Sequence, residues 1–154
     1  MHLYLVRYAE PKSEEEDPSR PLSKKGWTEI QKVAAFAATH LNIVVNRILH
    51  SGKLRAQQTA EVFSEHFHPE GGIKSVAGLN PLDNPSLWGK RLNRIKEDLM
   101  LVGHMPYLSK LTSYLLHHDE NKTSVSFQTS QIVCLYRDSS GVWTVKWILK
   151  PDDV

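Results

Sequence analysis

Near its N-terminus the chain reads His2-Leu3-Tyr4-Leu5-Val6-Arg7-Tyr8-Ala9-Glu10. Residues 2 to 6 are apolar enough for a short central strand, and the strand stops on an arginine, a tyrosine and a small residue. In an open α/β sheet ligands bind just beyond the carboxyl ends of the strands. Arg7 at such an end is a candidate anion receptor, and Tyr8 stands beside it.

Outward from this strand, helical and strand patterns alternate. Residues 9 to 21 are a polar loop, with Ser13-Glu14-Glu15-Glu16-Asp17 and Pro11, Pro18 and Pro21 blocking regular structure. Ser23 reads as the N-cap of a helix to about His40, since Trp27, Ile30, Val33, Ala34, Ala37 and Leu41 fall at helical spacing. A strand is expected at 46 to 50, a helix at 54 to 67 and a strand at 73 to 76. A loop follows at 80 to 86, then a helix near 87 to 95, a strand at 98 to 102 running into Gly103-His104, and a helix at 107 to 117. The end of the chain changes texture, with strands expected at 124 to 128, 132 to 136 and 142 to 149. Trp143 and Trp147, four apart in one strand, are expected on one face. This alternation predicts a single α/β domain over residues 1 to 154. It is a three-layer α/β/α sandwich with a mostly parallel central sheet, extended on one side by the terminal strands, some of them antiparallel.

Composition narrows the class. The chain has 154 residues, 40% hydrophobic and 23% charged, enough for a sizeable core. A net charge of +2, from 19 basic and 17 acidic residues, gives no ground for a nucleic-acid partner. No apolar run reaches the roughly 20 residues of a membrane span, and no signal peptide is evident. The single cysteine, Cys134, fits a reducing compartment and a core thiol, so the cytoplasm is the expected location. His66-x-His68 and His117-His118-Asp119 are too sparse for a metal site. No metal and no cofactor is expected.

Three strand ends deliver polar groups. The first gives Arg7 and Tyr8; the second gives His50, Ser51 and then Arg55 in the first turn of a helix; the fourth gives Gly103-His104. In a parallel sheet these ends share an edge, so Arg7, Arg55 and His104 are expected to converge. Two guanidiniums and an imidazole around one point describe an oxyanion receptor, and the helix N-terminus near Arg55 adds backbone donors.

Four segments carry a family resemblance. Leu5-Val6-Arg7-Tyr8-Ala9-Glu10 resembles the Arg-His-(Gly/Ala) signature of the histidine phosphatase superfamily, in its small SixA-type branch with the phosphoglycerate-mutase-like fold. Arg20-Pro21-Leu22-Ser23-Lys24-Lys25-Gly26 resembles Arg-Pro-Leu-Thr/Ser-x-x-Gly. Ser51-Gly52-Lys53-Leu54-Arg55-Ala56-Gln57-Gln58-Thr59-Ala60-Glu61 resembles Ser-Pro-x-x-Arg-Ala-x-Gln-Thr-Ala-Glu. Leu101-Val102-Gly103-His104-Met105-Pro106 resembles Val-Gly-His-x-Pro. The resemblance implies metal-free hydrolysis of a phosphohistidine on a signalling or phosphocarrier protein, through a phosphohistidine intermediate. It implies that Arg7, Arg20, Arg55 and His104 hold the phosphoryl group, so that phosphate or sulfate would occupy the site. It puts Tyr8 at the position of the nucleophilic histidine.

That last position departs from the family. A nucleophile must be unprotonated and aimed at phosphorus. Imidazole titrates near 6.5, whereas phenols titrate near 10, so about one phenol in a thousand is ionised at pH 7. A phenol is also longer and stands to fill the space meant for phosphate. Three readings follow: a pseudophosphatase that binds without turnover, a slow phosphatase using Tyr8, His104 or direct attack by water, and an altered pocket with no present role. Asp83 and Glu10 are the candidate general acids, and neither sits in a matching motif.

Overall fold

The computed structural model describes residues 1–122 and 125–154. Six strands, β1 (His2–Arg7), β2 (Arg47–His50), β3 (Ile73–Ser75), β4 (Leu99–Gly103), β5 (Ile132–Arg137) and β6 (Trp143–Leu149), form one sheet in the order β3-β2-β4-β1-β5-β6. β1 to β4 pair in parallel, while β5 and β6 run antiparallel and extend the β1 side. Of the four α-helices, α1 (Lys24–His40), α2 (Leu54–Phe67) and α3 (Ser86–Leu92) lie in the crossovers between the parallel strands, and α4 (Tyr107–His117) leads from β4 towards β5.

Alternation along each strand sorts side chains between two cores. Tyr4, Val6, Ile48, Met100 and Val102 pack with Ile30, Val33 and Ala37 of α1 and Ala60 and Phe63 of α2. Leu3, Leu5, Leu49, Leu99 and Leu101 pack with Trp88 and Leu92 of α3 and Leu108, Leu111 and Leu115 of α4. Helices on both faces explain why β1 is buried along Leu3, Tyr4, Leu5 and Val6. Ser23 caps α1, its Oγ accepting from the Gly26 N–H at 3.0 Å.

Two expectations differ. Residues 125 to 128 are not a strand, and Ser124 lies outside the described residues. Trp143 and Trp147 face opposite layers. Cys134 pairs with Trp147 but Leu135 pairs with Val145, which leaves Lys146 as an extra residue in β6. Such a β-bulge reverses the facing of everything beyond it. Trp147 therefore packs by Tyr4 at 6.0 Å between ring centroids, while Trp143 joins the α3/α4 core and donates from Nε1 to Asn93 Oδ1 at 2.7 Å.

Candidate active site

β2, β4 and β1 are neighbours, and their carboxyl ends are nearly level, with Arg7 opposite Gly103 and His50 opposite Val102. At the end of β1 the main chain is clamped on both sides. The Tyr8 N–H donates to Gly103 O at 3.2 Å, and the Ser130 N–H donates to Arg7 O at 3.0 Å and Tyr8 O at 3.2 Å. The Ala9 N–H donates to Thr59 Oγ1 at 3.0 Å, and that hydroxyl donates to Arg55 O at 2.8 Å. One buried threonine thus ties the loop after Tyr8 to the turn that carries Arg55.

The Tyr8 ring stands among the three groups expected to converge. The Arg55 guanidinium carbon lies 5.1 Å from its centroid, that of Arg7 5.6 Å, and the His104 ring centroid 5.1 Å. A cation within about 6 Å of an aromatic centroid is attracted by the ring quadrupole. The phenol ring is therefore held in the ground between the cations.

These cations are not neutralised. Arg7 donates from Nη1 to Phe127 O at 2.8 Å, but its Nε and that of Arg55 are buried without a protein partner. Among the described residues neither arginine has a carboxylate within ion-pair distance. A buried donor left unmade costs about 1–3 kcal/mol, more for a charged group. The strand-end geometry therefore maintains a positive site that an oxyanion would complete.

His104 is 1% exposed. Its Nε2 lies 2.6 Å from Ser51 Oγ, and its Nδ1 has no partner. Burial first, then the charges of Arg55, Lys53 and Arg7, push its pKa down to about 3. The imidazole is uncharged at neutral pH, with one ring nitrogen a donor and the other an acceptor. Ser51, read from the sequence as a polar group at the second strand end with no role of its own, is thus a direct partner of the site. The signal for it was its place at the head of the Ser-Gly-x-x-Arg segment.

Arg20 stands apart. Its Nε donates to Lys12 O at 3.1 Å, and it makes no hydrogen bond to Arg7, Tyr8, Arg55 or His104. Its segment braces the site instead: the Leu22 N–H donates to Gln58 Oε1 at 2.7 Å, and the Ser23 N–H to Glu10 O at 2.9 Å. Glu10 accepts from Ser23 Oγ, the capping hydroxyl of α1, at 2.8 Å, and Asp83 accepts from the Asn80 N–H at 2.8 Å, so both carboxylates are engaged locally. Among the described residues no three His, Cys, Asp or Glu side chains gather as metal ligands, and no helix is long and apolar enough to cross a membrane.

No family model and no curated protein matches the sequence. Solved structures do match. The protein histidine phosphatase SixA complexed with tungstate superposes with a TM-score of 0.87 at 23% identity, covering 99% of each chain. A candidate phosphohistidine phosphatase SixA from Agrobacterium tumefaciens gives 0.76 at 22%, covering 97% of each. The alpha-ribazole phosphatase of Shigella flexneri gives 0.74 at 13%, covering 98% of this chain and 97% of that one. Identity this low speaks to architecture, and on that ground the chain has the phosphoglycerate-mutase-like fold that these phosphatase structures share.

Proposed function

We propose that this protein binds a phosphoryl group carried on a histidine of a signalling or phosphocarrier protein, between Arg7, Arg55 and His104, and that turnover is attenuated or lost because Tyr8 takes the nucleophile's place. The observation that carries the reading is the phenol ring lodged among two unpaired guanidiniums and an uncharged imidazole. The phosphate-holding groups are present, while the group at the attacking position is a poor nucleophile at neutral pH. Losing the nucleophile of a catalytic unit costs on the order of 10⁶ in rate. The tungstate bound to the SixA structure is an oxyanion of phosphate's shape, which fits the same use of the fold. Arg20 belongs to this reading as a further phosphate-side arginine, its terminal nitrogens left unengaged by the bond from Nε to Lys12 O. The reading needs one domain and neither metal nor cofactor.

One observation favours a second reading, an active phosphatase. His104 is uncharged at neutral pH and its Nδ1 has no protein partner, so in the tautomer whose proton sits on Nε2 it carries the chemistry of an attacking imidazole. Attack by Tyr8, or by water with the arginines stabilising the transferring group, belongs to the same class.

The test is a turnover assay on a phosphohistidine protein and a small aryl phosphate, comparing the natural chain with Tyr8→His. The variant is expected to gain activity by orders of magnitude. Comparable rates in the two proteins would overturn the attenuated reading. Phosphate is expected to raise the melting temperature of the natural chain, and Arg7→Ala to abolish the rise.

A further inference from the structure

A second positively charged region lies outside the strand-end constellation. A groove of about 610 Å³ runs along the open edge of the sheet, lined by Arg47, Lys74, Trp88, Arg91 and Arg94. A smaller cavity of about 380 Å³ shares Arg91 and Arg94 and adds Leu87 and Lys90. Residues 84 to 96 contain four cations, Lys90, Arg91, Arg94 and Lys96, and no acid. Among the described residues the protein has two ion pairs, and they engage Glu97 with Arg47 and Asp98 with His2. Lys74, Lys90, Arg91 and Arg94 therefore face solvent without a carboxylate partner.

The groove is also built. Trp88 is 6% exposed and fixed by its Nε1 donating to Ala77 O at 2.8 Å. The Arg91 guanidinium rests on its ring at 4.9 Å from the centroid. At one end the wall of the groove adjoins the loop that carries Ser51. Ser75, in its wall, stands so close to Gly52 that a Cβ there would sit 2.9 Å from its Oγ. Gly52 follows Ser51, whose hydroxyl meets His104. Leu87, in the lining of the smaller cavity beside Lys90 and Arg91, is 45% exposed, and Leu82, on the loop before α3, is 87% exposed. Unpaired cations with exposed leucines alongside match a segment that is both acidic and apolar, which is a protein segment rather than a uniform polyanion.

We propose that this groove docks an acidic, leucine-bearing segment of the protein that presents the phosphoryl group. The inference rests on the proposed phosphoryl-binding reading for the identity of that partner, while the groove's charge stands without it.

The experiment uses a fluorescein-labelled synthetic peptide of alternating Glu-Asp pairs and leucines, without phosphate, titrated with the full chain and read by anisotropy. Binding is expected at low salt and is expected to weaken as salt screens the contacts. Arg91→Glu with Arg94→Glu is expected to weaken it about tenfold or more. Lys74→Glu, on the exposed edge strand, provides a second variant that leaves the α3 packing untouched. Arg7→Ala, which removes a phosphate ligand, is expected to bind the peptide as the natural chain does. Equal binding by the charge-reversed variants would overturn the proposal. So would an equal loss in a Lys24→Glu, Lys25→Glu control on α1, or displacement of the peptide by a single-stranded oligonucleotide at lower concentration. Absence of any phosphate-induced melting shift in the natural chain, with peptide binding retained, would instead remove only the phosphoryl reading.

Discussion

Lowering the pH should destabilise this protein through His104 in particular. In the folded chain its pKa is about 3, against 6.5 for the free side chain, because burial, Arg55, Lys53 and Arg7 all oppose the charge. The folded-state value lies below the unfolded one. Between the two, the unfolded chain binds a proton that the native site refuses, so stability rises with pH and is lost as pH falls. The slope is about 1.4 kcal/mol per pH unit well inside the window, and between about pH 7 and pH 4 the accumulated loss from this one group is about 3 kcal/mol. At this chain length that equals a fall of about 6–12 °C in melting temperature. The assay is urea unfolding followed by tryptophan fluorescence at both pH values, for the natural chain and for His104→Gln, whose amide keeps a partner for Ser51. His2 and His50 are also lowered, chiefly by burial, but they contribute equally to both proteins. The natural chain should lose about 3 kcal/mol more than the variant over this range. A difference below about 1 kcal/mol, or one of opposite sign, would refute the account of His104 as a dry imidazole among cations.

Two further substitutions test the bracing around the site. An alanine Cβ at Gly26 would lie 2.1 Å from Glu10 O, two residues beyond Tyr8. Gly26→Ala should therefore destabilise by roughly 2 kcal/mol by denaturant unfolding, despite the better helix propensity of alanine; a variant as stable as the natural chain would show that this contact is slack. Thr59→Val keeps the shape but strips the Ala9 N–H of its acceptor and should cost about 1–3 kcal/mol. A cost below about 0.5 kcal/mol in the same measurement would mean that the loop after Tyr8 is held elsewhere.

The layers of the fold were legible because β1 to β4 alternate with amphipathic helices, and helix faces read at 3.6-residue spacing leave little freedom of architecture. The meeting of Arg7, Arg55 and His104 was legible for a topological reason, since parallel strands bring their carboxyl ends to one edge. What was hidden depends on register or on a single hydrogen bond. Trp143 and Trp147 read as one face because period two assumes an unbroken strand, and the extra Lys146 breaks it. Ser51 read as a polar group at a strand end but without its partner, because its bond to His104 spans 53 positions. The bracing by the segment after Arg20 was likewise hidden, since the Leu22 N–H bonds Gln58 of α2 and the Ser23 N–H bonds Glu10 O.

The clamp on the first strand end has an evolutionary consequence. The bonds that hold position 8 are made by its own N–H and C=O, with Gly103 and Ser130. Any residue other than proline offers the same two groups, so these backbone clamps do not depend on which side chain stands there. Tyrosine and histidine codons differ by a single pyrimidine at the first position. The two states contrasted by Tyr8→His are therefore adjacent in genetic space, separated by one transition and by no change in these backbone bonds. On the proposed reading, a lineage carrying this chain could exchange binding for turnover, or the reverse, with the same two backbone clamps kept throughout.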